Sequence, residues 1–177
     1  GQIFVSCAGG VTSYAKFEFN REEAPQGWAF IKASVKGLTG GHSGDDINKK
    51  RANAIKLLSR YLYTINQEYG LRLASFQSGK MHNAIPRDGQ IVFAVKAEDK
   101  EAVKTAWNKF FEDVKEEFHV TDTNIVNNIE DTTATPVIEK AIADKIILAL
   151  QAVDKGIYTM CQDEALAWLV ETSSHIA

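Results

Sequence analysis

The sequence has few cysteines, few prolines and no long hydrophobic run, and each shortage excludes a class of protein. Two cysteines, Cys7 and Cys161, and three prolines stand among 177 residues. Two cysteines cannot supply a dense disulfide framework, and we expect both to be free thiols. The longest apolar runs, such as 146–150, are far shorter than the ~20 residues that span a membrane. With no secretion signal in the first residues, the sequence predicts a cytoplasmic protein without a membrane partner.

The chain also lacks a strong excess of charge of either sign. Lys and Arg number 20 against 23 Asp and Glu, which gives a formal net charge of −3. Proteins that bind nucleic acid normally carry a basic surface, so we expect no nucleic-acid partner. Hydrophobic residues make up 45% of the chain, which is enough for one good core at this length.

The spacing of apolar residues predicts a mixed order of strands and helices. Alternating apolar residues indicate strands, and apolar residues spaced near 3.6 indicate amphipathic helices. The predicted elements are strands at 2–8, 11–20 and 28–36, a helix at 46–69, strands at 71–77 and 90–97, a helix over 103–118, a strand at 124–129, a third helix beyond Pro136 and a strand within 157–170. A capping box formed by Ser43 and Asp46 is predicted to start the first helix.

The central part of this order is strand, helix, strand, strand, helix, strand, which is typical of a ferredoxin-like split βαβ sandwich. The predicted fold class is therefore α+β, an antiparallel sheet with helices on one face, extended by extra terminal strands and a third helix. We expect one domain over 1–177, with a ferredoxin-like core at about 27–130 and a flanking annex at 1–20 and 136–177. The small polar residues of 131–136 are the candidate linker.

One histidine is a candidate for chemistry. None of the four, His42, His82, His119 and His175, has the spacing of a zinc site, so no metal is predicted in this chain. His42 lies within Gly40–Gly44, just before a predicted helix start. Glycines allow a close backbone approach, and a helix N-terminus favours negative charge, so His42 is a candidate donor to an oxyanion. The alternative is a loop histidine that only fixes the turn.

A second candidate is the loop from Asn83 to Arg87, between two predicted strands. An amide and a guanidinium in one loop suit a substrate carboxylate or peptide group. The alternative is an Asn that caps the turn and a solvated Arg. We interpret Asp45 and Asp46 as acids at a helix start, not as metal ligands. A hydrolase that uses His42 with Ser43 is excluded, because adjacent residues rarely place a nucleophile and its base correctly.

Three segments together resemble a known family: GLTGGHSGDDI at 37–47, RANAI at 51–55 and NAIPR at 83–87. The opening residues 2–10 and the closing residues 170–173 extend the similarity over nearly the whole chain. In this order and spacing, the segments resemble the lid domain of bacterial aminoacyl-histidine (Xaa-His) dipeptidases, a family of di-zinc metallopeptidases.

The resemblance implies a lid or dimerisation domain whose own catalytic domain lies outside this chain. That domain would hold two divalent metals, usually zinc, and this chain alone would be inactive. His42 takes the role of stabilising the oxyanion, and Asn83 and Arg87 take the role of holding the substrate. The implied partners are a dipeptide, the catalytic domain and a second copy in a homodimer. The competing hypothesis is a non-catalytic α+β dimerisation or interaction module, in which His42 is packed without consequence.

Overall fold

The computed structural model of the protein describes residues 9–177. In chain order its elements are β1 (Arg21–Glu22), β2 (Trp28–Lys36), β3 (Gly41–His42), α1 (Ala54–Glu68), β4 (Arg72–Ser78), β5 (Ala84–Ile85), β6 (Gly89–Lys96), α2 (Lys100–Glu117), β7 (Val126–Asp131), β8 (Val137–Ile138), α3 (Lys140–Ala152), β9 (Gly156–Met160) and β10 (Val170–Ser174). Short 3₁₀ turns lie at Ile47–Lys49, Ala97–Asp99 and Glu164–Leu166. Within the described part, no helix is both long and apolar enough to cross a membrane.

A four-stranded antiparallel sheet in the order β4-β6-β2-β7 forms the centre of the domain. Helix α1 connects β2 to β4, and helix α2 connects β6 to β7, so each helix joins two strands that are separated by a third. Ile31 of β2 lies opposite Phe93 of β6 and Asp131 of β7, which defines the register. The predicted α+β class is confirmed.

One face of this sheet packs against the helices. Ile31, Ala33 and Val35 alternate along β2 and are fully buried, because successive side chains of a strand point to opposite faces. They share the main core with residues of α1 and α2. There the Tyr61 ring meets Trp107 edge to face, with centroids 4.8 Å apart, and the Tyr61 hydroxyl donates to the Val103 carbonyl at 2.8 Å.

The opposite face of the sheet carries a smaller cluster formed by Phe30, Ala74, Ala94 and Val137. Strand β8, which contains Val137, pairs antiparallel with β1. Arg21 of β1 donates to the carbonyls of Ala74 and Pro136, each at 2.9 Å. This polar contact fixes the β1–β8 pair against the edge strand β4.

The last part of the chain packs beside α1. Ala143 and Ile147 of α3 are buried in the main core. Lys56 of α1 donates to the carbonyls of Leu150, Gln151 and Val153 at 2.9, 2.8 and 2.7 Å. A lysine in this position satisfies carbonyls that have no partner within the helix, so it caps the C-terminal end of α3. Strands β9 and β10 then form an antiparallel hairpin.

The N-terminal prediction needs correction. The strand predicted at 2–8 and Cys7 lie outside the described residues, so the prediction of free thiols stays a prediction. The strand predicted at 11–20 is wrong, since residues 9–20 form no helix or strand. Phe17 and Phe19, whose alternation predicted this strand, are each 41% exposed, and Val11 and Tyr14 before them are 95% and 79% exposed, so the pattern does not mark a buried face.

The first helix also starts later than predicted. Asn53 accepts a hydrogen bond from the Lys56 N–H at 3.3 Å and is the true N-cap of α1. The predicted capping box is absent because the Asp46 carboxylate binds the backbone N–H of His42 instead. The single strand predicted within 157–170 is the β9–β10 hairpin, with a 3₁₀ turn between its strands.

Candidate functional site

The glycine-rich segment and the Asn83–Arg87 segment meet as a two-stranded ribbon. β3 pairs antiparallel with β5, with Gly41 opposite Ile85 and His42 opposite Ala84. At one end of this β3–β5 ribbon the Ser43 N–H donates to the Asn83 carbonyl at 2.9 Å. Further along, the Leu38 N–H donates to the Arg87 carbonyl at 3.3 Å. The fold therefore brings the backbones of the three predicted site residues into one small substructure.

The imidazole of His42 is held in one orientation by the backbone that follows it. Its Nδ1 accepts hydrogen bonds from the N–H groups of Gly44 and Asp45, each at 3.2 Å. The Asp45 carboxylate is 3.6 Å from the same nitrogen, beyond hydrogen-bond distance, so the two backbone donors decide the tautomer. Since Nδ1 accepts, the neutral ring carries its proton on Nε2. The side chain is 52% exposed, and its Nε2 has no partner within the described part of the chain.

A charged cluster lies directly under the His42 backbone. The Asp46 carboxylate accepts the His42 N–H at 2.9 Å and lies 3.1 Å from the Arg51 guanidinium. Arg51 also donates to the Gly40 carbonyl. Hydrogen bonds from Lys49 and from the His42 N–H, together with the charge of Arg51, lower the pKa of Asp46. The carboxylate is therefore kept ionised and holds the loop by charge-assisted bonds.

Gly41 is required where this cluster meets the ribbon. Its φ of 139° is in the region that glycine favours. A Cβ at this position would lie 2.2 Å from Arg51 Nη1 and 2.3 Å from Asp46 Oδ2. Any larger residue would therefore displace the side chains of Asp46 and Arg51, which bind the backbone of His42 and Gly40.

Asp122 fixes both ends of the loop that carries His42. It is 2% exposed, and its two oxygens accept from the Thr39 N–H at 2.8 Å and the Ala52 N–H at 2.9 Å. The Thr121 hydroxyl donates to the same carboxylate at 2.8 Å. Sequence reasoning missed Asp122, because an acid between threonines after a helix resembles an exposed turn.

The other predicted residues take up different surroundings. Asn83 is half-buried, whereas Arg87 and His82 are exposed. His119 is exposed, and its Nδ1 lies 2.7 Å from the Glu116 carbonyl, so it caps the end of α2. His175, for which the sequence predicted no role, places Nε2 3.1 Å from the Ala84 carbonyl on the ribbon. Burial lowers the pKa of His175, which favours the neutral ring.

Within the described residues, the side chains do not form a metal site. Across residues 9–177, no three side chains of His, Cys, Asp or Glu are grouped in a way that would hold a metal ion. The polar side chains on and beside the ribbon are the imidazole of His42, the amide of Asn83 and the guanidinium of Arg87.

Comparison with known proteins identifies relatives of this arrangement. Residues 33–122 match the family model described as the peptidase dimerisation domain. The chain is 32% identical to the cytosol non-specific dipeptidase of Escherichia coli (strain K12), over 99% of this chain and 36% of that protein. It is also similar to the crystal structure of aminoacylhistidine dipeptidase from Vibrio alginolyticus, with a TM-score of 0.83 and 36% identity over 89% of this chain and 32% of that one. The chain spans about a third of the length of these two relatives.

Proposed function

Because this chain belongs to the peptidase dimerisation domain family, we propose that it is the lid and dimerisation part of a metal-dependent Xaa-His dipeptidase. Both relatives are named as dipeptidases, and one as an aminoacylhistidine dipeptidase. In this proposal a catalytic domain outside residues 9–177 holds two divalent metal ions, and we propose that both are zinc. The Escherichia coli relative is named a cytosol enzyme, and we extend a cytoplasmic location to this chain.

The observation that carries the proposal is the fixed tautomer of His42. Two backbone N–H groups bind Nδ1, so Nε2–H of the neutral ring is an exposed donor with nothing else to bind among the described residues. When the carbonyl of a scissile peptide bond is attacked, negative charge develops on its oxygen. A preoriented N–H donor stabilises that charge more than it stabilises the ground state. His42 therefore acts as an oxyanion donor, and its proton stays on Nε2.

Asn83 and Arg87 bind the dipeptide on the same ribbon. The half-buried amide of Asn83 offers both a donor and an acceptor to a peptide group. The exposed guanidinium of Arg87 suits the terminal carboxylate, which it contacts with two parallel N–H groups. The two side chains fix the substrate, while His42 acts on the reacting carbonyl.

The competing hypothesis of a non-catalytic interaction module differs on the surroundings of His42. A module has no need for an exposed donor, and its histidine would pack against neighbouring side chains. The 52% exposure of His42 and its backbone-fixed ring support the lid. The cluster of Asp46 and Arg51 beneath it, which orients the loop without covering the ring, supports it further.

The test is Xaa-His hydrolysis by the longer enzyme that contains this chain, with the His42→Ala variant compared at equal metal content. Loss of one oxyanion donor is expected to lower kcat by about 10²–10³, with KM changed little. His82→Ala is the matched control, because His82 is an exposed histidine next to Asn83 and has no assigned role. Full activity of His42→Ala would return this residue to a turn-fixing role and favour the module. Hydrolysis by the 177-residue chain alone would also contradict the proposal.

The substrate contacts predict a different kinetic signature. Arg87→Met removes ground-state binding of the carboxylate, so KM is expected to rise roughly tenfold or more while kcat changes little. The parent enzyme and the Arg87→Met variant should bind dipeptide amides equally well, because these substrates lack the terminal carboxylate. An equal loss on both substrates would mean that Arg87 does not bind the carboxylate.

A homodimer is the last part of the proposal. Strand β7 lies at the edge of the central sheet and, within the described residues, pairs with β2 alone. Its Val126 is 61% exposed, and an exposed edge strand can pair with a second copy. Val126→Lys should shift the chain from dimer to monomer in sedimentation, while Val11→Lys, at a 95% exposed position outside the strands of the sheet, should not. Identical sedimentation of both variants and the parent would contradict this interface.

A further inference from the structure

A cavity of about 400 Å³ adjoins the ribbon, and none of His42, Asn83 and Arg87 lines it. Its wall is formed by the segment before α1, the end of α2, the start of β9 and the residues after β10. It contacts the ribbon through Ile85. The proposed function does not use this space, and its volume is in the range of sites for small molecules, roughly 300–1,000 Å³.

The charges on the cavity wall are unbalanced. Arg51 is paired with Asp46, and the one carboxylate of the wall, Glu117, accepts a hydrogen bond from Arg60 at 2.9 Å. The remaining two cations, Lys50 and Lys155, form no ion pair with any described residue. Lys155 only donates to a backbone carbonyl, that of Arg51, at 3.3 Å. The cavity wall therefore includes two lysines, Lys50 and Lys155, that have no ion-pair partner on the wall itself.

Two basic groups of the wall are also poorly solvated. Burial lowers the pKa of Lys155 despite nearby Asp122, Glu117 and Asp154, and burial lowers the pKa of His175. His175 uses Nε2 for the Ala84 carbonyl, which leaves Nδ1 buried with no partner in the described part of the chain. A buried charge or polar atom without a hydrogen-bond partner has an unfavourable free energy. A bound anion would offset part of that cost by accepting hydrogen bonds from these groups.

We propose that this cavity binds the carboxylate of a small organic acid that has an apolar body. Lys155 and Lys50 hold the carboxylate by charge-assisted hydrogen bonds. The apolar body lies against Ile85, Phe118 and Ile157, which form part of the same wall. His175 takes up one proton from solvent on binding and donates Nδ1–H to the carboxylate, while Nε2–H stays on the Ala84 carbonyl.

The site joins two parts of the chain that contact the ribbon. Lys155 binds the Arg51 carbonyl, and Arg51 binds Gly40 next to β3. His175 binds Ala84, which lies opposite His42. An acid in the cavity would thus stabilise the segments that support the ribbon. This inference concerns ligand binding alone and does not depend on the proposed dipeptidase activity.

The first experiment titrates the 177-residue chain with 4-methylpentanoate and follows the backbone and histidine signals by NMR. Saturable shifts at Lys155, His175 and Ile85 are expected. The uncharged 4-methylpentan-1-ol tests the carboxylate, and inorganic phosphate tests the apolar body; both should bind at least tenfold more weakly. No saturation, or equal binding of the alcohol or of phosphate, would overturn the proposal.

Charge-removing variants locate the site. Lys155→Met is expected to weaken binding of 4-methylpentanoate roughly tenfold or more, since a hydrogen bond from a charged group is lost. Lys32→Met is the matched control, because Lys32 lies on β2 and pairs with Glu130 away from the cavity. If Lys155→Met does not fold by circular dichroism, Lys50→Ala at an exposed position makes the same test. Undiminished binding to the folded variant would overturn the assignment.

Proton uptake gives an independent readout. Bound carboxylate is expected to raise the pKa of His175. By linkage, affinity should fall as pH rises through the titration range of His175. The charged groups of the wall are Lys50, Arg51, Glu117 and Lys155, and Lys155→Met should abolish the shift. An unchanged titration of His175 in the saturated chain would exclude its role as donor.

Discussion

The central sheet and the β3–β5 ribbon are held by different interactions. In the sheet and its helices, side chains such as Ile31, Phe93 and Trp107 have no exposed surface. The ribbon has two paired positions, and carboxylates at Asp46 and Asp122 fix its flanks. Burial of apolar surface is non-directional, whereas hydrogen bonds to carboxylates fix particular atoms. The sheet therefore supplies stability, and the ribbon supplies geometry.

The largest effect is expected from a cavity in the core. Trp107→Ala removes a fully buried ring that packs against Tyr61 and Phe111, with centroids 4.8 and 4.5 Å away. The free energy of unfolding should fall by about 3–5 kcal/mol in urea denaturation. The control is Trp168→Ala, the same change at a 70% exposed position, which should cost less than about 0.5 kcal/mol. Similar losses for the two variants would contradict the division between core and surface.

The next effect is expected where β2 leaves the sheet for the loop. Gly37 and Gly27 have φ of 77° and 80°, but a Cβ at Gly37 would lie 2.0 Å from the Asn124 carbonyl oxygen, whereas Gly27 has nothing within 4 Å. Gly27→Ala should lower the free energy of unfolding by only about 1–2 kcal/mol, the strain of placing a Cβ on a left-handed backbone. Gly37→Ala should cost a further 1–3 kcal/mol or so, because a backbone segment must move. Equal unfolding free energies of the variants would show that the loop entry adapts freely.

A change at Asp122 is expected to lower the free energy of unfolding less, and to act mainly on the loop that Asp122 binds. Asp122→Asn replaces one acceptor oxygen by an amide nitrogen and leaves Thr39 or Ala52 with an unpaired N–H. The cost should be about 1–3 kcal/mol, with the loss of amide-exchange protection concentrated at these two residues. Asp113→Asn, an exposed residue of α2 paired with Lys109, is the matched control and should be nearly neutral. Uniform loss of protection across the sheet would argue against a local role.

The same contrast explains what could be predicted from the sequence. Strand β2 has the predicted bounds of 28–36, and β4, β6 and α2 differ from their predictions by a few residues, because apolar periodicity records which face is buried. The segment 11–20 shows the limit of this reasoning. Its aromatic and apolar residues alternate without a partner surface among the described residues, so the same pattern produced no strand.

The site was harder to predict, because the hydrogen bonds that hold its loops do not follow a periodic pattern in the sequence. The glycine-rich segment and the Asn83–Arg87 segment were both identified as candidates, and the ribbon brings them together. Asp122 and His175 were not, since each contacts the loops over a sequence separation of 70 residues or more. A single polar contact of this kind leaves no pattern in the local sequence. The roles of His42, Asn83 and Arg87 stay predictions until the variants are measured.

The smallest expected effect is a difference in acid sensitivity between the loop that carries His42 and the central sheet. The pKa of Asp46 is lowered from its usual 3.8, first by the hydrogen bond from Lys49 and then by the His42 N–H. Since the folded-state pKa lies below the unfolded value, the contribution of Asp46 is present above pH 3.8 and is lost as pH falls through the lowered pKa. On acidification, the amides of Gly41 and His42 should therefore lose exchange protection before those of β2 and β6.

Two variants define this acid-sensitive step. Asp46→Asn should loosen the loop already at neutral pH and remove the pH dependence, because the amide has no charge to lose. Asp45→Asn is the control, since the Asp45 side chain is 89% exposed and lies beyond hydrogen-bond distance of His42 Nδ1. If the loop and the sheet open together in acid, the apolar core and the charged loop form one cooperative unit. If Asp45→Asn behaves like Asp46→Asn, the charge of the segment matters more than the bond to the His42 backbone.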